Sequence, residues 1–476
     1  MKSQIARWVL ALIISSGGLS AELLSLTNPE GKTLRAELID VSPDLKVTLR
    51  LQSGKKVTVP HTSLSSESLT LISELWLTRQ ADKISPLNEA IGHTLFAGIG
   101  NLFAEGVSEV ATRLGWPEES QTPYTSSYRL YPDPDYRFLG ARPFSAVAYG
   151  DAEGNTLQLS LVFANKGDSL SVVGSGEDHF KANGSAAVTS LSEAMKHDEK
   201  VITKALEELF GSGETQRFGE SHSRRTVTRW DWSGHSFLLT ALDEEYVGLQ
   251  IVTPEFADNE GRTERISDAD LRKRLESNIV RNDNGDVYIK NIPMVDQGPK
   301  GYCAPATFER AMRHVGVPAD MYLLATKATT ASGTRTDILY DEVKSAVRRK
   351  GRRPDDIGER DLQLKQIKKT IDQGVPILWQ MCSLPNYNSI ANKRSLERGN
   401  VADWKEWAMN IQKEAEQNAE ALKQRGEYHI CLIIGYNEAT QEIAVSDSWG
   451  SNYTIRWIHA LEAEAVSNNS GFTISL

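Results

Sequence analysis

The stretch Val295-Asp296-Gln297-Gly298-Pro299-Lys300-Gly301-Tyr302-Cys303-Ala304-Pro305-Ala306 constrains this chain more than any other, because it sets one cysteine at a loop-to-helix junction. The first N–H groups of a helix have no partner within it and carry partial positive charge, so a thiol there is biased towards thiolate. Gln297 lies six positions upstream, and Gly298 and Gly301 let the loop turn so that its side-chain amide can point at the same reaction centre. Such a donor is what a tetrahedral oxyanion requires.

A thiolate needs a base and a group to orient it. Tyr428-His429-Ile430-Cys431-Leu432-Ile433-Ile434-Gly435-Tyr436 is a short apolar strand pattern with a histidine at its start, and a second strand, Ile443 to Asp447, runs into Ser448-Trp449-Gly450. His429 is the candidate general base, and Asp447 the group that would set its tautomer and orientation. Taken singly, a cysteine or a strand histidine is usually structural. Their joint occurrence in this order, flanked by these glycines, favours catalytic geometry.

From about Asn291 to its C-terminus the chain resembles a papain-like cysteine peptidase of the divergent, bacterial C39-like kind. Gln297, Gly298, Gly301 and Cys303 match the family's Gln-Gly-x-x-Gly-x-Cys loop, His429, Gly435 and Tyr436 its His-strand, and Asp447, Ser448, Trp449 and Gly450 its Asn-Ser-Trp-Gly motif. The resemblance implies Gln297 as oxyanion donor, Cys303 as nucleophile, His429 as base and Asp447 as orienting residue, with Trp449 shielding the His/Asp pair. Two departures stand out. Papain's Trp-Ala-Phe after the nucleophile is replaced by Ala304-Pro305-Ala306, which removes a primed-side wall. Asp447 replaces Asn, which keeps an acceptor and adds negative charge that favours the imidazolium. Pro305 fits the first helical turn, where no N–H is needed. The resemblance also implies neighbouring strands for Cys382 and Cys431, so a disulfide and two buried thiols both fit. No Cys/His spacing suits zinc, no cofactor is expected, and His314 is three turns along the Cys303 helix, out of reach.

At the N-terminus, Lys2 and Arg7 precede an apolar run from Trp8 to Ile14 and small residues up to Ala21. This reads as a secretory signal peptide over 1–21, cleaved after Ala21, with a retained N-terminal anchor as the alternative; the apolar run is too short to span a bilayer. A secreted or periplasmic chain without membrane insertion after signal removal is expected. Because Lys2 and Arg7 leave with the leader, the formal charge moves from −10 to −12, which argues against binding nucleic acid or anionic membrane.

The whole reads as an α+β multidomain protein. Residues 22–80 alternate as strands over Gly31–Ile39, Lys46–Leu51 and Lys56–Pro60, with a short helix starting near Leu64. Their Gly-Lys, Ala-x-Leu, Val-x-Val-Pro and Leu-Ser features resemble the SLA1 homology domain 1 type of small SH3-like β-barrel, a module that implies a protein partner. Residues 86–285 form an α+β region of unrecognised fold. There an apolar helical pattern interrupted by glycines runs from Gly92 to Gly115, strands are expected at Leu157–Phe163 and Ser236–Leu242, and a helix at Ser190–Phe210. Trp230 and Trp232 alternate as residues packing a core face would. Residues 286–476 form the papain-like domain, a helical subdomain plus a β-sheet subdomain. An amphipathic helix over about Val401–Gln424 reads as a lid or, more simply, as a helix packed on the outside.

The expected activity is hydrolysis of peptide bonds in a peptide or protein substrate, with the upstream domains recruiting substrate or blocking the cleft as a propeptide. The alternatives are an acyl transferase of transpeptidase or transglutaminase-like type, using the same thioester, and an inactive peptidase-fold binding protein that works through its SH3-like module.

Overall fold

The computed structural model describes residues 23–41, 46–97, 101–170, 190–220, 224–298, 301–326, 328–330 and 333–476. The expected leader, residues 1–21, and Pro299 and Lys300 of the cysteine loop lie outside the described residues. The chain is α+β and divides into two units, with the boundary between Lys83 and Ile84.

In the first unit, β1 (Leu23–Thr27), β2 (Thr33–Val41), β3 (Lys46–Leu51) and β4 (Lys56–Pro60) pair consecutively as an antiparallel meander. The alternation seen in the sequence buries one face: Leu24, Leu26, Ala36, Leu38, Val47 and Leu49 close on Leu64 and Ile72. Gly31 and Gly54, at φ 82° and 80°, make the hairpin turns that an L side chain would resist. The helix that follows is not short. α1 runs from Ser66 to Ile91, because the apolar residues Ile84, Leu87 and Ile91 continue the helical spacing and serve the core of the second unit.

The second unit opens with a correction. The apolar stretch from Gly92 to Gly115 is not one helix: a 3₁₀ turn at Leu102–Ala104, capped by the Asn101 side chain, precedes α2 (Val107–Leu114). Leu95 and Phe96 are buried from irregular backbone and Leu102 from the 3₁₀ turn, which is why their spacing imitates a helix. Eight antiparallel strands follow in the order β5-β6-β7-β8-β12-β11-β10-β9. These are β5 (Glu118–Gln121), β6 (Ser126–Leu130), β7 (Ser145–Gly150), β8 (Thr156–Asn165), β9 (Glu214–Phe218), β10 (Arg225–Trp232), β11 (His235–Leu242) and β12 (Tyr246–Val252). α3 (Leu191–Phe210), started by Ser190 accepting from the Glu193 N–H, covers one face with α2, and Trp230 and Trp232 belong to that core. The other face packs Val162 and Tyr246 against Val295, Tyr302, Ala306 and Met321 of the C-terminal part.

That part is built on a second sheet of order β13-β14-β19-β18-β22-β17, with β20 pairing β19 and β21. Its strands are β13 (Ile279–Arg281), β14 (Asp286–Ile289), β17 (Arg353–Gly358), β18 (Ile377–Cys382), β19 (Tyr428–Asn437), β20 (Glu442–Ser446), β21 (Arg456–His459) and β22 (Ser467–Ser475); the two-residue strands β15 (Thr329–Thr330) and β16 (Gly333–Thr334) form a separate hairpin. α4 (Asp268–Ser277), α5 (Cys303–His314) and α6 (Thr336–Arg349) pack on the face carrying Ile430, Leu432 and Phe472. α7 (Pro385–Arg398), α8 (Trp404–Leu422) and α9 (Ala460–Val466) lie on the opposite face with Trp379, Cys431 and Ile433. α8 begins where Asp403 accepts from the N–H groups of Lys405 and Glu406, and it packs on α9, with Asn418 donating to Glu462 at 2.8 Å. This is the outside-packed arrangement. Among the described residues no helix is long and apolar enough to cross a membrane.

Candidate active site

The helix α5 begins at Cys303, with Tyr302 as its cap residue and Pro305 in the first turn, where the missing N–H leaves no bond unmade. Thr307 Oγ1 donates to Ile430 O at 3.1 Å, which locks this helix start against β19 beside His429. The thiol is half-buried beside the His429 imidazole, whose charge acts on it. On the far side of the ring, His429 Nε2 meets Asp447 Oδ1 at 3.0 Å, so the other ring nitrogen is the one left for sulfur. Trp449 stacks on the imidazole with ring centroids 4.8 Å apart.

Burial by itself would raise the Cys303 thiol, but His429, with the backbone at Ile430 and Ala304, outweighs it and holds the thiol below its ordinary value. Burial likewise disfavours the imidazolium. Asp447 and Cys303 reverse that and raise His429 to about 9. Asp447 is held below the carboxylate range despite its burial, by His429 and by Arg456. The arrangement therefore favours a thiolate–imidazolium pair.

Gln297 sits beside this group. Its N–H donates to Ser448 O at 2.9 Å, and its Oε1 accepts from Ser448 Oγ at 2.7 Å, which fixes the side-chain amide next to the residue that follows Asp447. The structure thus gathers Gln297, Cys303, His429 and Asp447 from a loop, a helix start, a strand start and a strand end.

Two residues passed over in the sequence complete the support. Arg456, on β21, donates from Nε and Nη2 to Asp447 Oδ2 at 3.1 and 2.6 Å, and from Nη1 to Asn388 and Asn392 of α7 at 3.0 and 3.1 Å. Arg310 is only 1% exposed; it donates to Pro293 O at 3.0 Å, to Ser446 O at 3.2 Å and to Ser446 Oγ at 2.6 Å. It ties the end of β20 to the start of the Gln297 loop, and burial lowers its pKa to about 10. The available signal was its place seven residues after Cys303, on the same helix face as Ala306 and Thr307.

Other marked groups lie elsewhere. His314 is buried, with Nε2 2.9 Å from Gly374 O, and burial lowers it to about 4. Cys382 and Cys431 are free thiols; Cys382 pairs with Tyr428 and Cys431 with Trp379, three positions apart along the ladder. Among the described residues no group of three or more His, Cys, Asp and Glu side chains is placed to hold a metal ion.

Residues 289–469 match the model of the Peptidase_C39 like family, which supports a cysteine-peptidase-type domain of C39-like character over that stretch. No curated protein matches the chain.

Proposed function

We propose that this protein is an exported cysteine peptidase of papain-like architecture that hydrolyses peptide bonds through Cys303, His429 and Asp447. The observation that carries the reading is the imidazole of His429 set between the Cys303 thiol and the Asp447 carboxylate. In the forward step the thiolate attacks the scissile carbonyl carbon, and the resulting oxyanion is held by the Gln297 side-chain amide and the Cys303 N–H. The imidazolium of His429 gives its proton to the departing amine as the C–N bond breaks. Water then adds to the thioester, His429 takes its proton, and the C–S bond breaks to return the thiolate and release the acid. Asp447 keeps the ring oriented throughout.

Residues 1–21 are the proposed leader, which would place the mature chain in a secreted or periplasmic setting. The β1 to β4 meander is proposed to be SH3-like and to take a protein partner, while the C-terminal part takes peptide or protein substrates. The test is alkylation of the purified protein by iodoacetamide from pH 4 to 9, with digestion of fluorescent casein followed in parallel. Fast labelling of Cys303 that persists well below a free thiol's pKa of about 8.5, and is lost in His429→Ala, supports the proposal. Labelling that follows an ordinary thiol titration, with intact casein, would refute it and leave an inactive peptidase fold.

A further inference from the structure

The loop that carries Gln297 is held from two sides. Ser448 grips Gln297 itself, through the two hydrogen bonds described above. Besides Arg310 at Pro293, a further grip comes from the eight-stranded sheet and the residue that follows β6. Ser120 Oγ, on β5, accepts from the Met294 N–H at 3.0 Å, and Glu119 Oε1 accepts from the Asp296 N–H at 2.8 Å. The hydroxyl of Tyr131, just past β6, donates to Asp296 O. The Tyr131 ring also closes the space at Gly298, where an added Cβ would lie 2.8 Å from it.

These holders are themselves fixed. Glu119 accepts from Arg129 Nε at 2.6 Å and from Ser127 Oγ at 2.8 Å, and the side chains of the Glu119–Arg129 pair are 2% and 3% exposed. A buried pair of this kind has a single low-energy geometry and transmits it to whatever backbone it bonds. On the other flank of the reaction centre, Tyr302, the residue before the nucleophile, is buried with Val162 and Tyr246 of the same sheet. Stripping the sheet away would leave the Met294 and Asp296 N–H groups and the Asp296 carbonyl without these partners, and would expose Val295 and Tyr302.

An oxyanion donor works only when placed to within a fraction of an ångström of the developing charge, and misplacement by about 1 Å costs on the order of a hundredfold in rate. We infer that Glu119 and Tyr131 are positioning residues for the oxyanion hole, and that the eight-stranded sheet is a permanent part of the catalytic unit rather than a propeptide removed on activation. The inference rests on the peptidase reading proposed above.

The test uses the full chain and three readouts: hydrolysis of fluorescent casein, the rate of Cys303 alkylation by iodoacetamide, and inhibition by a peptide aldehyde. The aldehyde forms a hemithioacetal, the thiolate adding to its carbonyl carbon, whose oxygen occupies the oxyanion site; displacement of iodide from iodoacetamide builds no oxyanion. Tyr131→Phe is expected to lower kcat about tenfold or more and to weaken the aldehyde by a similar factor, with alkylation within about twofold of wild type. Added to Gln297→Ala, the same change should cost less than about threefold, because both act through one donor. Glu119→Gln gives a second, independent variant with the same expected pattern.

An active wild type with unchanged kcat in Tyr131→Phe and Glu119→Gln overturns the inference and leaves the peptidase reading standing. So does a loss of equal size with and without Gln297→Ala, which would mark a merely structural contact. A wild type that neither cleaves casein nor alkylates faster than an ordinary thiol overturns the peptidase reading, and the inference with it.

Discussion

Arg456 and Asp447 form a buried pair in which two guanidinium nitrogens meet one carboxylate oxygen, at 3.1 and 2.6 Å, leaving the other oxygen for His429. His429 and Arg456 together keep Asp447 ionised against its burial, and the Arg456 pair fixes its plane, so the imidazole has one orientation available.

Replacing Asp447 by Asn tests that division of labour. The variant keeps an acceptor near His429 but removes the charge that favours the imidazolium, and it leaves Arg456 buried beside a neutral group. The His429 pKa is expected to fall from about 9 and turnover to drop at least about tenfold. Stability should fall by about 3 kcal/mol, the scale for stranding one member of a buried ion pair. Urea unfolding and kcat on casein measure the two effects; an Asn variant as stable as wild type would contradict the assigned pairing.

The pH dependence follows from the directions of the two shifts. The reactive ion pair exists above the lowered Cys303 pKa and below that of His429, so turnover should persist below the range of an ordinary thiol and decline above about pH 9. His429 is raised on folding, so its contribution to stability is fully present below its unfolded value of about 6.5 and is lost as pH rises through about 9. Comparing wild type with His429→Ala in urea at pH 6 and pH 9.5 should show the gap narrowing at the higher pH.

Arg310→Met removes a charge from the interior while leaving Pro293 O, Ser446 O and Ser446 Oγ without its hydrogen bonds. A loss of about 2–4 kcal/mol is expected, since the stranded groups cost more than the aliphatic replacement returns. Calorimetry or urea unfolding would read it, and a neutral result would show that these groups find other partners.

Glu309 is buried on the same helix as Cys303, faces Arg313, Asp320, Arg129, Glu119 and Tyr149, and accepts from the Met321 N–H at 2.7 Å. Burial pushes it up to about 7. A carboxyl raised on folding keeps its proton while the unfolded chain has lost it, so its contribution to stability falls as pH rises from about 4.5 to 7. Glu309→Gln should therefore gain stability relative to wild type between pH 5 and pH 8. A difference that does not change with pH would refute the shift.

Gly298→Ala addresses the loop directly. Its φ of 64° and the Tyr131 ring 2.8 Å from the added Cβ both oppose a side chain. The loop should move, lowering casein turnover while Cys303 alkylation continues at close to the wild-type rate.

The sequence by itself determined the local elements whose causes are local. The alternation in β2, β3 and β4, the Ser190 cap of α3, the Asp403 cap of α8 and the glycines around Cys303 act within a few residues, and the Gln297, Cys303, His429 and Asp447 spacing is readable because each lies in a recognisable strand or loop pattern. Only the tertiary structure decided what lies between distant segments. Most of the eight-stranded sheet escaped because β5 (Glu118–Gln121) is polar and β7 (Ser145–Gly150) is buried on both faces, so neither alternates. The bonds from Arg456 to Asn388 and from Glu119 to Asp296 join residues 68 and 177 positions apart, and such pairings are selected by packing and by the cost of an unpaired buried charge, which leave no periodic mark on the chain.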